Sequence, residues 1–545
     1  MKKIAILVFF TVGFFVHVWA CTGLIAGKQA TVDGSVLVTY SADSHTLYGA
    51  LTSSPAADWP KGSMRSIVEW DTNKPLGEIE QVEHTYAVIG NMNEHQLTVV
   101  ESTWGGRPEL VDTTGIIDYG SLMQLALERA KTAREAIKVM TGLVKKYGYY
   151  SSGESFTIAD PNEAWILDLI GKGRRGAVWV AVRIPDDCIA GHANYPRIHK
   201  IPMDDKENCL YSPDVISFAR EMGYFDGLNK DFSFARAYSP ADFGALRACD
   251  ARVWSFFRKY DSSMDNYLPY VNGESAEPFP LYVKPSRKLS VQDMKEAMRD
   301  HFEDTPFDMT QDVGAGPFKV PYRFRPMSFE VDGKSYCMER AIATQQTGFT
   351  LVGQMRNWLP DPVGGVLWFG VDDANTCVYI PMYCGITQVP ECFSPENGSM
   401  YDFSWTSAFW IHNWVANMAY ARYEPMIGDI RKVQSAVETS LNLRQPAVDK
   451  AAVELYATSP QEAIAYLTQY SCDAAEASTA RWKKLGEYLM VKFLDGNVKQ
   501  EENGKFKDNG YGLPDSPLFP GYSQEYYEEI VRQTGDRFLE TPPKY

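Results

Sequence analysis

The sequence lacks the marks of several large protein classes. No two of its nine cysteines are spaced as CxxC, which argues against a zinc ribbon or a thioredoxin-like redox site. No HExxH occurs, so His192 and His199 do not read as a zinc-peptidase pair. There is no GxxxxGK[ST] phosphate loop, and "GAGPF" around Gly314 is too short for a dinucleotide fingerprint. No repeat recurs at a solenoid period. Beyond residue 20 no apolar run approaches the roughly 20 residues that span a bilayer. Positive charge is also scarce. Lys and Arg number 53 against 69 Asp and Glu, a formal net charge of −16, which repels nucleic acid and anionic membrane surfaces and favours solubility. The reading is therefore of a chain with no nucleic-acid partner and no stable membrane insertion, and a homo-oligomer is compatible with it.

What is present is a globular composition, 45% hydrophobic and 22% charged over 545 residues. Residues 1–20 stand apart. Lys2 and Lys3 precede the apolar run Ile4 to Trp19, and Val18 and Ala20 sit three and one residues before Cys21. That is the pattern of a cleaved secretory signal, so the expectation is an exported protein, periplasmic or extracellular. Eight cysteines besides Cys21 would permit disulfides there.

Along the chain, strand and helix patterns mix without a regular βαβ rhythm, which favours an α+β fold. "TVDGS" at Thr31 to Ser35 reads as a hairpin turn. The segments "SFTIAD", "AWILDLI" and "AVWVAV" between Ser155 and Val182 read as strands, and Gly364 to Tyr383 as a hairpin. Tyr119 to Tyr147 and Leu289 to Phe302 read as helices, the second capped by Ser290. Trp405 to Tyr420 is apolar and aromatic and is expected to be buried. The expected divisions are a signal at 1–20, a catalytic domain at 21–445 and a helical region at 446–545 packed on it.

Cleavage before Cys21 would place a thiol and a free α-amino group on one residue. An α-amino group has an ordinary pKa of about 7.7–8.0, suited to a general base, and the thiol is intrinsically nucleophilic. Two other readings stand beside this one: a lipid anchor acylated at Cys21, and a plain structural cysteine. "VWAC" fits a lipobox poorly because Trp19 is bulky, and "TGLIAGKQATVDGS" runs straight into strand-like sequence rather than a tether.

A longer resemblance bears on the choice. "CTGLIAGKQATVDGSVL" and "ADS" resemble the start of the bacterial cysteine dipeptidases related to secernins, members of the N-terminal nucleophile hydrolases. The likeness continues in order through "NMNEHQLTVVESTWGGRPEL", "GESFTIADPNEAWILDL", "AGHANYPRI", "DARVWSFFRKY" and "RAIATQQTGFTLVGQMRNWLPDPVGGVLW". The resemblance implies a four-layer αββα sandwich with additional helices toward the C-terminus. It also implies metal-free, cofactor-free hydrolysis of small peptides through a thioester on Cys21. By resemblance, Asp43 holds the α-amino group and Asn194 orients the amine or donates to the oxyanion. Arg252 is then the pocket arginine, and Glu101 and Thr103 match a family segment near the active site, with Thr103 read either as an oxyanion donor or as a strand residue of good β propensity. One position departs: Tyr40 stands where relatives often carry an arginine. The alternatives are a related amide hydrolase acting on acyl-amino acids or conjugated steroids, and a lipid-anchored binding protein.

Other polar clusters have simpler readings. Glu94 and His95 fit a polar turn. Asp300, His301, Glu303 and Asp304 fit a helix end with solvated charges, because adjacent helical positions point apart. Asp160, Asp168, Asp186 and Asp187 fit loops and strand ends.

Overall fold

The computed structural model describes residues 21–542; the expected signal at 1–20 lies outside the described residues. Strands are labelled β1 (Gly23–Ala26), β2 (Val36–Asp43), β3 (Thr98–Trp104), β4 (Gly153–Ala159), β5 (Ala164–Gly171), β6 (Ala177–Ile184), β7 (Ile189–His192), β8 (Thr347–Met355), β9 (Val366–Val371) and β10 (Ile380–Tyr383). They form two antiparallel sheets. The first runs β7-β1-β2-β8-β9-β10 with Tyr282–Val283 at its edge. The second runs β6-β5-β4-β3, with Cys209–Tyr211 outside β6 and three short pieces beyond β3. The fold is α+β, as expected from the sequence.

Strands β2, β4 and β5 are buried along their whole length, which explains why they read as apolar runs rather than alternating patterns. The two sheets pack on each other through β2 against β3 and β4. Helices α1 (Tyr119–Arg129) and α2 (Ala133–Tyr147) cover the second sheet, and Leu122, Ile137, Met140, Phe156 and Trp165 share the core between them. Helices α3 (Ala251–Arg258), α4 (Val291–Ala297), α5 (Ala408–Ala421), α6 (Tyr423–Thr458) and α7 (Pro460–Lys492) lie against the first sheet. No helix among the described residues is long and apolar enough to cross a membrane.

Four expectations are corrected. The helix read over Tyr119 to Tyr147 is two helices, because Ala130 turns extended and Thr132 caps a new start through the Glu135 amide. The helix read from Leu289 to Phe302 covers only Val291–Ala297, although Ser290 does cap it, in a box with Asp293. Trp405 is 51% exposed; it packs edge-on against Trp414 and Phe403 at the surface, and the buried segment begins at Ser407. The division at 445/446 falls inside the unbroken helix α6. Beyond it, α7 docks on α5, where Trp482 is fully buried and stacks on His412 at 5.0 Å. All nine cysteines are free thiols.

Candidate active site

Cys21 lies between the sheets. Thr22 bridges to Ser41, the Ser41 amide donating to the Thr22 carbonyl at 3.0 Å, so the register of β1 on β2 sets Cys21 beside the end of β2. That end carries Tyr40 and Asp43. The Cys21 side chain is 5% exposed, and its sulfur is 3.6 Å from the Tyr40 hydroxyl. The Tyr40 hydroxyl in turn donates to Glu101 Oε1 on β3 of the opposite sheet. Behind Glu101, the Thr103 hydroxyl reaches Glu154 Oε1 at 2.7 Å and Glu101 Oε2 at 3.5 Å. A chain of polar side chains thus crosses the space between the sheets.

The sulfur faces a hollow of about 360 Å³. Cys21, Tyr40, Asp43 and Glu101 line it from the sheets, with Asp71 and Tyr119 opposite and Phe349 and Phe369 on the apolar side. Among the described residues, Asp43, Asp71 and Glu101 are its only charged lining side chains, with no Lys, Arg or His beside them. The field in the hollow is negative. Burial and the Glu101 and Asp43 charges push the Cys21 thiol well above the ordinary thiol range. Burial also raises Glu101, and burial with the Glu101 charge raises Glu154 further, since two such close carboxylates resist ionising together. Burial pushes Asp71 up to about 6, against the hydrogen bond that Tyr119 donates to it at 2.7 Å.

Asp43 is held by the buried Arg340 guanidinium, by the Thr347 hydroxyl at 2.6 Å and by the Ser41 hydroxyl at 3.0 Å. Arg252, on α3, reaches Cys21 from the side of its backbone carbonyl. Its guanidinium donates to the Cys21 carbonyl and Thr22 Oγ1, both at 2.7 Å, to Asn194 Oδ1 at 2.8 Å and to the Ala193 carbonyl at 3.1 Å. Burial and Arg340 lower it to about 9. Asn194 follows β7 in the left-handed region, at φ 58°, which asparagine tolerates better than most residues. Its amide nitrogen donates to the Thr103 carbonyl at 2.5 Å.

Of the six residues expected at the site, Cys21, Asp43 and Glu101 line the hollow, while Asn194, Arg252 and Thr103 do not. The latter three form the hydrogen-bonded wall behind Cys21, the Thr103 hydroxyl being engaged with Glu154. Sequence reasoning missed Asp71, Tyr119, Glu154 and Arg340. The remaining polar clusters have structural partners. His192 is buried between Ser102 (2.6 Å) and Thr157 (2.8 Å), and burial with the Arg252 charge lowers it to about 3. Asp168 accepts from Ser155 and from the Ile198 amide. Asp300 pairs with Lys259 at 2.6 Å, and Glu94 accepts from the Ala87 amide. Among the described residues, no group of three His, Cys, Asp or Glu side chains is placed to hold a metal ion.

A buried thiol thus lines a hollow whose charged side chains, among the described residues, are carboxylates. Comparison with known proteins gives the class, a cysteine-type hydrolase. The profile of peptidase family C69 matches residues 20–436, and the chain belongs to that family. A "Probable dipeptidase" of Latilactobacillus sakei is 25% identical over 479 residues, covering 84% of this chain and 92% of its own. A "Probable dipeptidase" of Salmonella dublin is 27% identical over 394 residues, 67% of this chain and 81% of its own. The "Dipeptidase A" of Lactobacillus helveticus is 24% identical over 428 residues, 74% and 82% respectively.

Proposed function

We propose that the protein is a dipeptidase in which Cys21 is the nucleophile and the first residue of an exported chain. The sheets and helices would then be the four-layer αββα stack of the N-terminal nucleophile hydrolases. One observation carries the substrate class: the sulfur opens onto a hollow whose charged lining side chains, among the described residues, are all carboxylates. In a dipeptide the α-ammonium sits on the carbon next to the scissile carbonyl. A thiol attacking that carbonyl has the ammonium beside it, where Asp71 and Glu101 offer negative charge. Acyl-amino acids and conjugated steroids bring no cation to that place, so the hollow favours a free amino terminus over either.

In the reaction, the neutral α-amino group of Cys21 takes the thiol proton as the sulfur attacks the carbonyl, and the C–N bond breaks, leaving a thioester and releasing the second amino acid. The released amine takes its proton from the α-ammonium of Cys21, whose neutral form then removes a proton from the water that cleaves the thioester. Arg252 holds the Cys21 carbonyl and Thr22, so the nucleophile's backbone stays fixed while its sulfur exchanges partners.

The test is the intact mass and amino-terminal residue of the exported protein, together with the products of dipeptide digestion. A free Cys21, two free amino acids as products and their loss in Cys21→Ala support the reading. A diacylglyceryl adduct, a start downstream of Cys21 or undiminished cleavage by Cys21→Ala would overturn it.

A further inference from the structure

The hollow has an aromatic side as well as an acidic one. Tyr40, whose hydroxyl is 3.6 Å from the sulfur, begins a ladder of rings along the inner face of the first sheet. Its ring meets Phe349 on β8 edge-on at 5.7 Å, and Phe349 stacks on Phe369 of β9 at 5.5 Å. Phe393 closes the row, edge-on against Phe369 at 5.2 Å. Phe349 and Phe369 both line the hollow. Phe369 is 1% exposed, so the half-buried Phe349 is the ring left for a ligand to cover.

A bulge in β8 turns Phe349 inward. Thr347 pairs with Asp43 and Phe349 with Ala42, so Gly348 is an extra residue that β2 does not match. In a regular ladder Phe349 would lie opposite Ser41, and its ring would point to the other face of the sheet. The inserted residue instead sets it opposite Ala42, on the face that Tyr40 occupies, while Thr347 still donates to Asp43 at 2.6 Å. Gly348 also admits a close neighbour, since a Cβ there would lie 2.8 Å from Leu47 Cγ. Leu47, another lining residue, therefore seats against the bulge beside Phe349.

We propose that Phe349, braced by Phe369 and flanked by Leu47, receives the side chain of the substrate's amino-terminal residue and selects dipeptides that begin with a large apolar or aromatic residue. The proposal rests on the reading of Cys21 as nucleophile and of the substrate as a dipeptide. The α-carbon beside the scissile carbonyl carries both the ammonium and the side chain. With the ammonium at Asp71 and Glu101, the side chain leaves that carbon in another direction, and the ladder that starts beside the sulfur at Tyr40 offers it apolar surface. A phenyl group laid on Phe349 removes apolar area from water and adds ring–ring contact. A methyl group is too short to cover the ring and gains little of either.

The test is kcat/KM for phenylalanyl-alanine, alanyl-alanine and alanyl-phenylalanine. Wild type should cleave the first about 10–100-fold better than the second, the scale on which an apolar pocket discriminates, and better than the third. Phe349→Ala should erase most of that ratio while alanyl-alanine stays within about twofold of wild type, since only binding of the larger side chain is lost. The retained alanyl-alanine turnover shows that the variant is folded. Should Phe349→Ala melt early, Phe349→Leu keeps the site filled with apolar volume and should lower the ratio by a smaller factor. Equal rates for phenylalanyl-alanine and alanyl-alanine in wild type, a ratio unchanged in both variants, or a preference for alanyl-phenylalanine overturns the assignment. If Cys21→Ala still cleaves dipeptides, the nucleophile reading has failed and the assignment falls with it; if it is inactive and the wild-type ratio is flat, only the assignment has failed.

Discussion

Asp71→Asn isolates the charge proposed to hold the substrate ammonium. The amide matches the carboxylate in size, and its oxygen can still accept from the Tyr119 hydroxyl, which lies 2.7 Å away. Only the negative charge is lost. Two unit charges about 4 Å apart attract by ~1 kcal/mol in bulk water and ~4 kcal/mol at an effective dielectric near 20. The hollow is open to solvent yet walled by protein, so a loss of about 2 kcal/mol is expected, or roughly thirtyfold in affinity. KM for a dipeptide should rise by that factor at pH 7.5 with kcat little changed. The wild type should show the same loss on acidification. Asp71 titrates at about 6, so its carboxylate is charged above that pH, and KM should climb as pH falls through 6. The variant should lack that limb. Blocking the amino terminus of the substrate by acetylation should cost wild type and variant unequally, since the variant has already lost the partner. Initial rates of amino acid release at pH 7.5 and 5 suffice. A KM within twofold of wild type, or an unchanged acid limb in the variant, would refute the ammonium assignment.

Other outcomes follow from buried contacts. Arg340→Ala strands the Asp43 carboxylate, now buried with hydroxyl donors alone, and should destabilise the protein by about 3–5 kcal/mol in urea unfolding. Arg252→Met removes donors from four buried oxygens around Cys21 and Asn194; it should lower both the urea midpoint and kcat, since unsatisfied buried acceptors cost about 1–3 kcal/mol each. Trp482→Ala opens a cavity beside His412 and should cost about 3–5 kcal/mol, whereas Trp405→Ser, half exposed, should cost about 1 kcal/mol or less.

Local patterns made the framework legible. The β4, β5 and β6 strands and the hairpin of β9 and β10 appear in the sequence as β-branched and aromatic runs between turn residues, and Ser290 announces the start of α4. Cys21 could be singled out from the sequence around it. What could not be read depends on distance. Arg340 meets Asp43 across 297 positions of chain, and no short-range pattern records such a pairing. Asp71 and Tyr119 come to the hollow from a surface hairpin and the start of α1, where each reads as an ordinary polar or aromatic residue. Tyr40 was visible only as a missing arginine. Its meaning lies in the opposite sheet, because Glu101 becomes its acceptor only once the two sheets stack. The break between α1 and α2 was missed because Ala130 and Thr132 interrupt a face whose apolar spacing otherwise carries on.

The absence of Lys, Arg and His side chains from the lining of the hollow, among the described residues, has a consequence for the enzyme at rest. Peroxide attacks thiolates far faster than thiols, and the negative field keeps the Cys21 proton in place. An empty site is thereby shielded from oxidative damage without a disulfide or a protecting group. A substrate's own ammonium brings further positive charge beside the sulfur, so reactivity rises with the arrival of the molecule about to be cut and falls when it leaves.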